Sequence, residues 1–262
     1  MLPSAQRLAA VGAVLFLLGG ATGCSLLAVP GNRTPGNVAA AVPPRQVVLA
    51  AAQALDDAGG ARIDVVTQGP AGRRTASGTL VWGDRDETDL SVTDELGTGR
   101  LTGRDGAFDL VYEGGAAKHA DRAGVESLDP RADASPGGYA GGWTSWLISA
   151  PGSTAYTMVQ AGSLGSLGAE QLAGTTVAHY QGTAPVADYF GADRNLSAER
   201  LAGVLAYYRG LGVTTIGFDV WVGPGSRLLQ LRETARGTGG TVVTTTDVSA
   251  PGEGDGTPSP TE

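Results

Sequence analysis

The chain has 262 residues, of which 42% are hydrophobic, 17% charged and 6% aromatic, with a formal net charge of −8. That length suits one ordinary domain or two small ones. The acidic balance excludes a basic face for nucleic acid, and the charged fraction excludes a bundle of membrane spans. A single Cys excludes an internal disulfide framework and a Cys-ligated zinc site, and two widely separated His exclude a multi-His metal centre.

The N-terminus reads as an address and an anchor. Arg7 precedes an apolar run from Leu8 to Gly20. The run falls short of the about 20 residues that span a bilayer, but it has the length and positive flank of a signal-peptide core. It ends in Ala21-Thr22-Gly23-Cys24, small residues before the chain's only Cys. This resembles a bacterial lipobox, which implies a diacylglycerol on the Cys24 sulfur, cleavage after Gly23 and acylation of the new amino terminus. Several acyl chains anchor stably where one is marginal, at about 0.8 kcal/mol per buried CH₂. Residues 1–23 are therefore expected to be a signal peptide, and losing them with Arg7 takes the formal charge from −8 to −9. Such a surface is not drawn to anionic headgroups, so the acyl chains must hold it at the membrane.

Residues 24–43, rich in Gly, Pro, Ala and Asn, read as a flexible tether. Residues 250–262 read as a disordered acidic tail. The folded domain is expected over 44–249. Pro43-Pro44 opens a helix in which Val47, Val48, Ala51 and Leu55 form one apolar stripe, and Gly59-Gly60 stops it. The period then changes to two. Ile63 and Val65, Leu80 and Trp82, Leu90 and Val92, then Leu101, then Phe108, Leu110 and Tyr112 sit in short runs bounded by Gly, Asp or Arg. Serial strands with tight turns predict an antiparallel meander, apolar on one face.

Residues 114–150 have little period and contain the Gly-rich aromatic loop Gly137-Gly138-Tyr139-Ala140-Gly141-Gly142-Trp143. A short helix is expected around Thr154 to Ala161. Gly162-Ser163-Leu164-Gly165-Ser166-Leu167-Gly168 reads as a flexible connector. Thr175 to Gly182 reads as a strand, and Ala198 to Leu211 as a helix with Ser197 at its N-cap. Three closing strands follow, Thr215–Val222, Ser226–Ala235 and Thr241–Val248.

Few residues suggest chemistry. His119, beside Lys118 and Asp121, belongs to a solvated loop. His179 shares the face of Val177 and reads as a hydrogen-bonded structural His, since no nucleophile can be placed near it. There is no Gly-x-Ser-x-Gly elbow, Walker loop or dinucleotide fingerprint. Asp56-Asp57 and Asp84-Arg85-Asp86-Glu87 read as a helix end and a turn, not a cation site. Asn195-Leu196-Ser197 matches a glycosylation sequon, which means little in a bacterium. Neither an enzyme, a metal nor a cofactor beyond the Cys24 diacylglycerol is expected.

The order of elements resembles the LppX/LprG-like lipoproteins of actinobacteria, relatives of the LolA and LolB lipoprotein carriers. The resemblance is most specific at Leu172-Ala173-Gly174-Thr175-Thr176-Val177-Ala178-His179-Tyr180-Gln181-Gly182-Thr183. It continues at Phe218-Asp219-Val220-Trp221-Val222 with Leu228-Leu229-Gln230-Leu231, which is similar to the family's final hairpin. It implies an α+β fold, a strongly curved antiparallel sheet (half-barrel) with helices packed on its concave face, and a cavity that in several members holds acyl chains of lipids or glycolipids. Residues 114–150 are longer and richer in Gly than the family's usual connection.

The apolar strand residues Leu80, Trp82, Leu90, Phe108, Leu110, Tyr112, Phe218, Val220, Leu229 and Leu231 are candidates to line such a cavity, or else form a closed core. Burying each CH₂ of a guest is worth about 0.8 kcal/mol. The expected role is a membrane-anchored lipoprotein that binds or transfers a lipid or lipid-linked molecule in the cell envelope. The alternative is an interaction or sensor module of the same fold that binds a partner protein without a lipid cavity.

Overall fold

The computed structural model describes residues 42–250 apart from 71, 96, 105–106, 114–124, 129–149, 195 and 197; of 107–109, 125–128, 199 and 200 it describes the backbone alone. The expected signal peptide, Cys24, most of the expected tether and tail, His119, the Gly137–Trp143 loop and Ser197 lie outside the described residues.

Helix α1 spans Pro44–Ala58. Pro at its first turn costs no intrahelical bond, and Gly59 ends it in the left-handed conformation at φ 67°, where a Cβ would be strained. The predicted meander follows as β1 (Gly60–Gly69), β2 (Gly72–Val81), β3 (Glu87–Asp94), β4 (Gly97–Arg104) and β5 (Ala107–Tyr112), with a short β6 (Val125–Leu128). Next come α2 (Pro151–Ala161), β7 (Ser163–Leu172), β8 (Thr175–Pro185), α3 (Val186–Ala192), α4 (Ala198–Gly210), β9 (Thr215–Gly223), β10 (Arg227–Gly237) and β11 (Gly240–Ser249).

Among the described residues the eleven strands form one antiparallel sheet in the order β6-β5-β4-β3-β2-β1-β11-β10-β9-β8-β7. Closure of β1 on β11 joins the meander to the last three strands. Helix α1 packs on α2 and on β10, and α2 packs on α3 and β8, all against one face of the sheet.

Two expectations change. Gly162–Gly168 is not a connector: from Ser163 it is β7, paired with β8 along its length with a bulge between Ser166 and Gly168. Its Ser and Gly side chains carry no apolar alternation because the strand is a solvated sheet edge, and its order comes from ladder hydrogen bonds. Helix α3 goes unseen in the sequence because seven residues starting directly from a strand hold too few turns to display a helical period.

The buried side chains form two clusters. One, centred on Phe218, Val220, Ile216, Met158 and Val48, lies between the helices and β8–β11. The other, with Leu90, Val92, Leu101 and Leu110, lines the same face of the meander. Phe218 fits because β8 and the residue that joins α2 to β7 give way to it: a Cβ at Gly182 would stand 2.4 Å from its ring, and one at Gly162 2.7 Å.

Candidate functional site

Strand registers put Arg74 opposite Thr67, Thr67 opposite Thr244, Thr244 opposite Glu233 and Glu233 opposite Phe218. The first four make a polar row across β2, β1, β11 and β10. The row beside it holds Val65, Thr246 and Leu231, and the row on the other side holds Val242, Ala235 and Ile216. The inner face of the sheet is thus apolar ground crossed by one polar stripe.

Above this stripe lies a cavity of about 190 Å³. Its floor includes Ile63, Val65, Leu80, Ile216, Leu231 and the polar row. Its roof comes from Thr154 and Thr157 of α2, Tyr189 and Phe190 of α3, and Val204, Tyr207 and Tyr208 of α4. Five adjacent strands contribute, from β2 to β9. Four strand spacings are about 19 Å in a flat sheet, so these side chains meet round one void only because the sheet curls towards the helices. A second, polar groove of about 400 Å³ is lined by Ser153, Tyr156, Gln160 and Arg194, and shares Thr157 and Asp193 with the cavity.

The polar end of the cavity is built around Glu233. Tyr189 Oη donates to Glu233 Oε1 at 2.6 Å. Burial pushes the Glu233 carboxyl above the usual carboxylate range; the Tyr189 hydrogen bond pulls it back and the charge of Asp193 adds to the rise. Burial likewise pushes the Tyr189 and Tyr208 hydroxyls upward, and Glu233 reinforces both shifts. The aromatic rings lie in a chain: Tyr189 stacks on Phe218 at 5.9 Å, meets Phe190 edge-on at 5.2 Å, and Phe190 stacks on Tyr208 at 5.1 Å. The cation on the floor, Arg74, is held bidentately by Glu95 at 3.1 and 2.7 Å.

Of the residues singled out in the sequence, Leu80 and Leu231 line the cavity. Leu90, Leu110, Phe218 and Val220 are fully packed in the two clusters instead. Trp82, half-buried, donates from Nε1 to the Asp56 carbonyl at 3.1 Å and fastens the meander to the end of α1. Tyr112 donates to Asp94 Oδ2 at 2.8 Å. Leu229 falls at the bulge between Leu228 and Gln230, beside Gly223. Phe108 is placed by its backbone opposite Gly103 and Leu128. Glu233, Thr244 and Thr246 carry no motif that singles them out, although alternation puts Glu233 in phase with Leu231 and Ala235. An acid in the apolar phase of a strand is the signal that marks it.

His179 is on the opposite face of the sheet. Nε2 lies 2.9 Å from Asp219 Oδ1 and Nδ1 3.4 Å from Glu170 Oε2. Its ring stacks on Trp221 at 4.3 Å, and Arg232 lies over the same indole at 5.2 Å. Trp221 donates to Glu170, and Gln181 donates to Asp219 at 3.1 Å. Each polar atom named here has a partner among the described residues, and His179 lines neither the cavity nor the groove.

Fold and site together define an open antiparallel half-barrel with an apolar, polar-ended cavity under its helices. No family model matches the chain, and no curated protein matches its sequence. Solved structures that it is similar to include LprF from Mycobacterium bovis, at 14% identity and a TM-score of 0.44 over 79% of this chain and 93% of LprF. The lipoprotein LppX from Mycobacterium tuberculosis matches at 12% identity and a TM-score of 0.40, over 77% of this chain and 94% of LppX. A LolA-superfamily protein from Nitrosomonas europaea matches at 9% identity and a TM-score of 0.32, over 82% of this chain and 96% of that one. Among the described residues no helix is long and apolar enough to cross a membrane.

Proposed function

We propose that this chain is an envelope lipoprotein that binds or hands on a lipid or lipid-linked molecule, with an acylated Cys24 keeping the domain at the membrane. The observation that carries the reading is the cavity between sheet and helices, walled by Ile63, Val65, Leu80, Ile216 and Leu231. A hydrocarbon segment placed there gains about 0.8 kcal/mol for each CH₂ removed from water. The cavity's 190 Å³ exceeds the about 150 Å³ void that admits a benzene-sized guest and falls below the about 300–1,000 Å³ of drug-sized sites. One chain segment fits it as it stands; several chains require the helices to part. The polar groove that shares Thr157 and Asp193 gives a head group a place outside the apolar part.

The test is extraction. The mature chain with Cys24→Ser, purified without detergent, is expected to carry an apolar molecule visible by native mass spectrometry and recoverable in organic solvent. Ile216→Trp and Leu231→Trp, which fill the cavity, are expected to lose it. A chain that carries none and takes up no added lipid contradicts the reading and leaves a tethered partner-binding module. The anchor is tested separately: Cys24→Ala is expected to release the protein into the medium, and retention in the membrane fraction contradicts lipidation.

A further inference from the structure

We propose that Glu233 selects what enters the cavity: it favours an apolar chain ending in a neutral hydrogen-bond donor such as a hydroxyl, and disfavours one ending in a carboxylate. The inference rests on the binding role proposed above and specifies the ligand's polar end.

Glu233 is the acid of the polar row, and the rows on either side of it are largely apolar. Of its two oxygens, Oε1 accepts from Tyr189. No hydrogen bond to Oε2 is seen among the described residues, and Glu233 lines the cavity. An acceptor held among largely apolar rows is less well solvated than one in open water, and a partly buried carboxylate gains from each donor it meets. A ligand hydroxyl seated there supplies the missing donor. The Tyr208 hydroxyl, whose ring forms part of the same wall, stands ready as a second partner for the same group.

A carboxylate in that place meets the opposite situation. It brings a second acid to a site that already contains one, in surroundings where charge is poorly screened. Asp193, also on the wall, adds to the negative side. The cation of the row, Arg74, is three strands away and is already clasped by both oxygens of Glu95. A pure hydrocarbon fills the apolar part but leaves Glu233 Oε2 as it was. Chemistry therefore ranks a fatty alcohol or a glycerol ester with a free hydroxyl above the matching alkane, and the alkane's polar rival, the fatty acid anion, last.

The experiment uses the mature chain with Cys24→Ser, stripped of any bound molecule, titrated at pH 7.5 with 1-decanol and with decanoate and followed by calorimetry and NMR. Wild type is expected to bind 1-decanol at least tenfold more tightly than decanoate. Glu233→Gln, which keeps the shape and removes the charge, is expected to shrink that ratio at least tenfold, chiefly by tightening decanoate. Tyr208→Phe, which keeps the ring, is expected to weaken 1-decanol and leave decanoate unchanged. Decanoate binding as tightly as 1-decanol to wild type overturns the selection while leaving the binding role intact. A ratio that Glu233→Gln does not move also overturns it. Failure of both probes to bind overturns the binding role and the selection together.

Discussion

Strands β7–β10 carry acidic side chains on both faces, and the two faces differ in what surrounds them. On the outer face Asp219 and Glu170 are met by His179, Gln181 and Trp221, and the indole is covered by His179 and Arg232. On the inner face Glu233 has one donor among the described residues, Tyr189, and borders the cavity. A cluster whose named polar atoms are all partnered stiffens the sheet; an acid with one donor beside a cavity is where the proposed ligand end is expected to bind. Residue type alone would have ranked them the other way, since His, Asp and Glu together look more like chemistry than one Glu among Val and Thr.

The largest effect that can sharpen this contrast is Trp221→Ala. It removes a buried indole from the outer cluster and is expected to cost about 3–5 kcal/mol in chemical denaturation, with the preference between 1-decanol and decanoate unchanged. A shift in that preference would break the separation between the two faces.

The next pair adds one CH₂ to each of two buried valines. Val220 is packed on all sides at 0% exposure, so Val220→Leu is expected to cost about 1–3 kcal/mol by overpacking. Val65 borders the void, so Val65→Leu in ligand-free protein is expected to leave stability unchanged or raise it by about 0.5–2 kcal/mol. Equal penalties in urea denaturation would mean that the void does not exist in solution.

The smallest effect is in pH dependence. Burial holds the folded Glu233 carboxyl above its unfolded value. Below the unfolded value of about 4.3 both states keep the proton and the contribution to stability is fully present. As pH rises past it, the unfolded chain ionises first, and stability drains away until the folded carboxyl ionises too. Glu233→Gln lacks this loss, so the variant is expected to gain on wild type as urea midpoints are taken from pH 4 to pH 8. Parallel profiles would mean that the carboxyl is not desolvated.

Much of the architecture was legible in the sequence. The helix from Pro44 to the Gly59 stop, the meander, the Thr175 strand and the three closing strands each display a period or a turn signal, and the structure places them there. Strand β7 was illegible because Ser163 to Gly168 offers no alternation; its order comes from pairing with β8. The cavity was legible only as a category. Leu231 and Leu80 border it, while Phe218, Val220, Leu90 and Leu110 are packed solid. All are apolar residues in phase, and which ones face a void depends on sheet curl and on glycines elsewhere, Gly162 and Gly182 beside Phe218 among them. Glu233 was legible in principle, as the one acid in the apolar phase of β10.

The central claim is that the space between sheet and helices admits an apolar chain while the packed core over β3–β5 does not. Methyl NMR of the stripped chain during titration with 1-decanol tests it most directly. The account predicts that the methyl signals of Ile63, Val65, Ile216 and Leu231 move in a saturable way while those of Leu101 and Leu110 stay still. Stationary cavity methyls at saturating 1-decanol, or shifts at Leu101 and Leu110 as large as those at the cavity methyls, would contradict it.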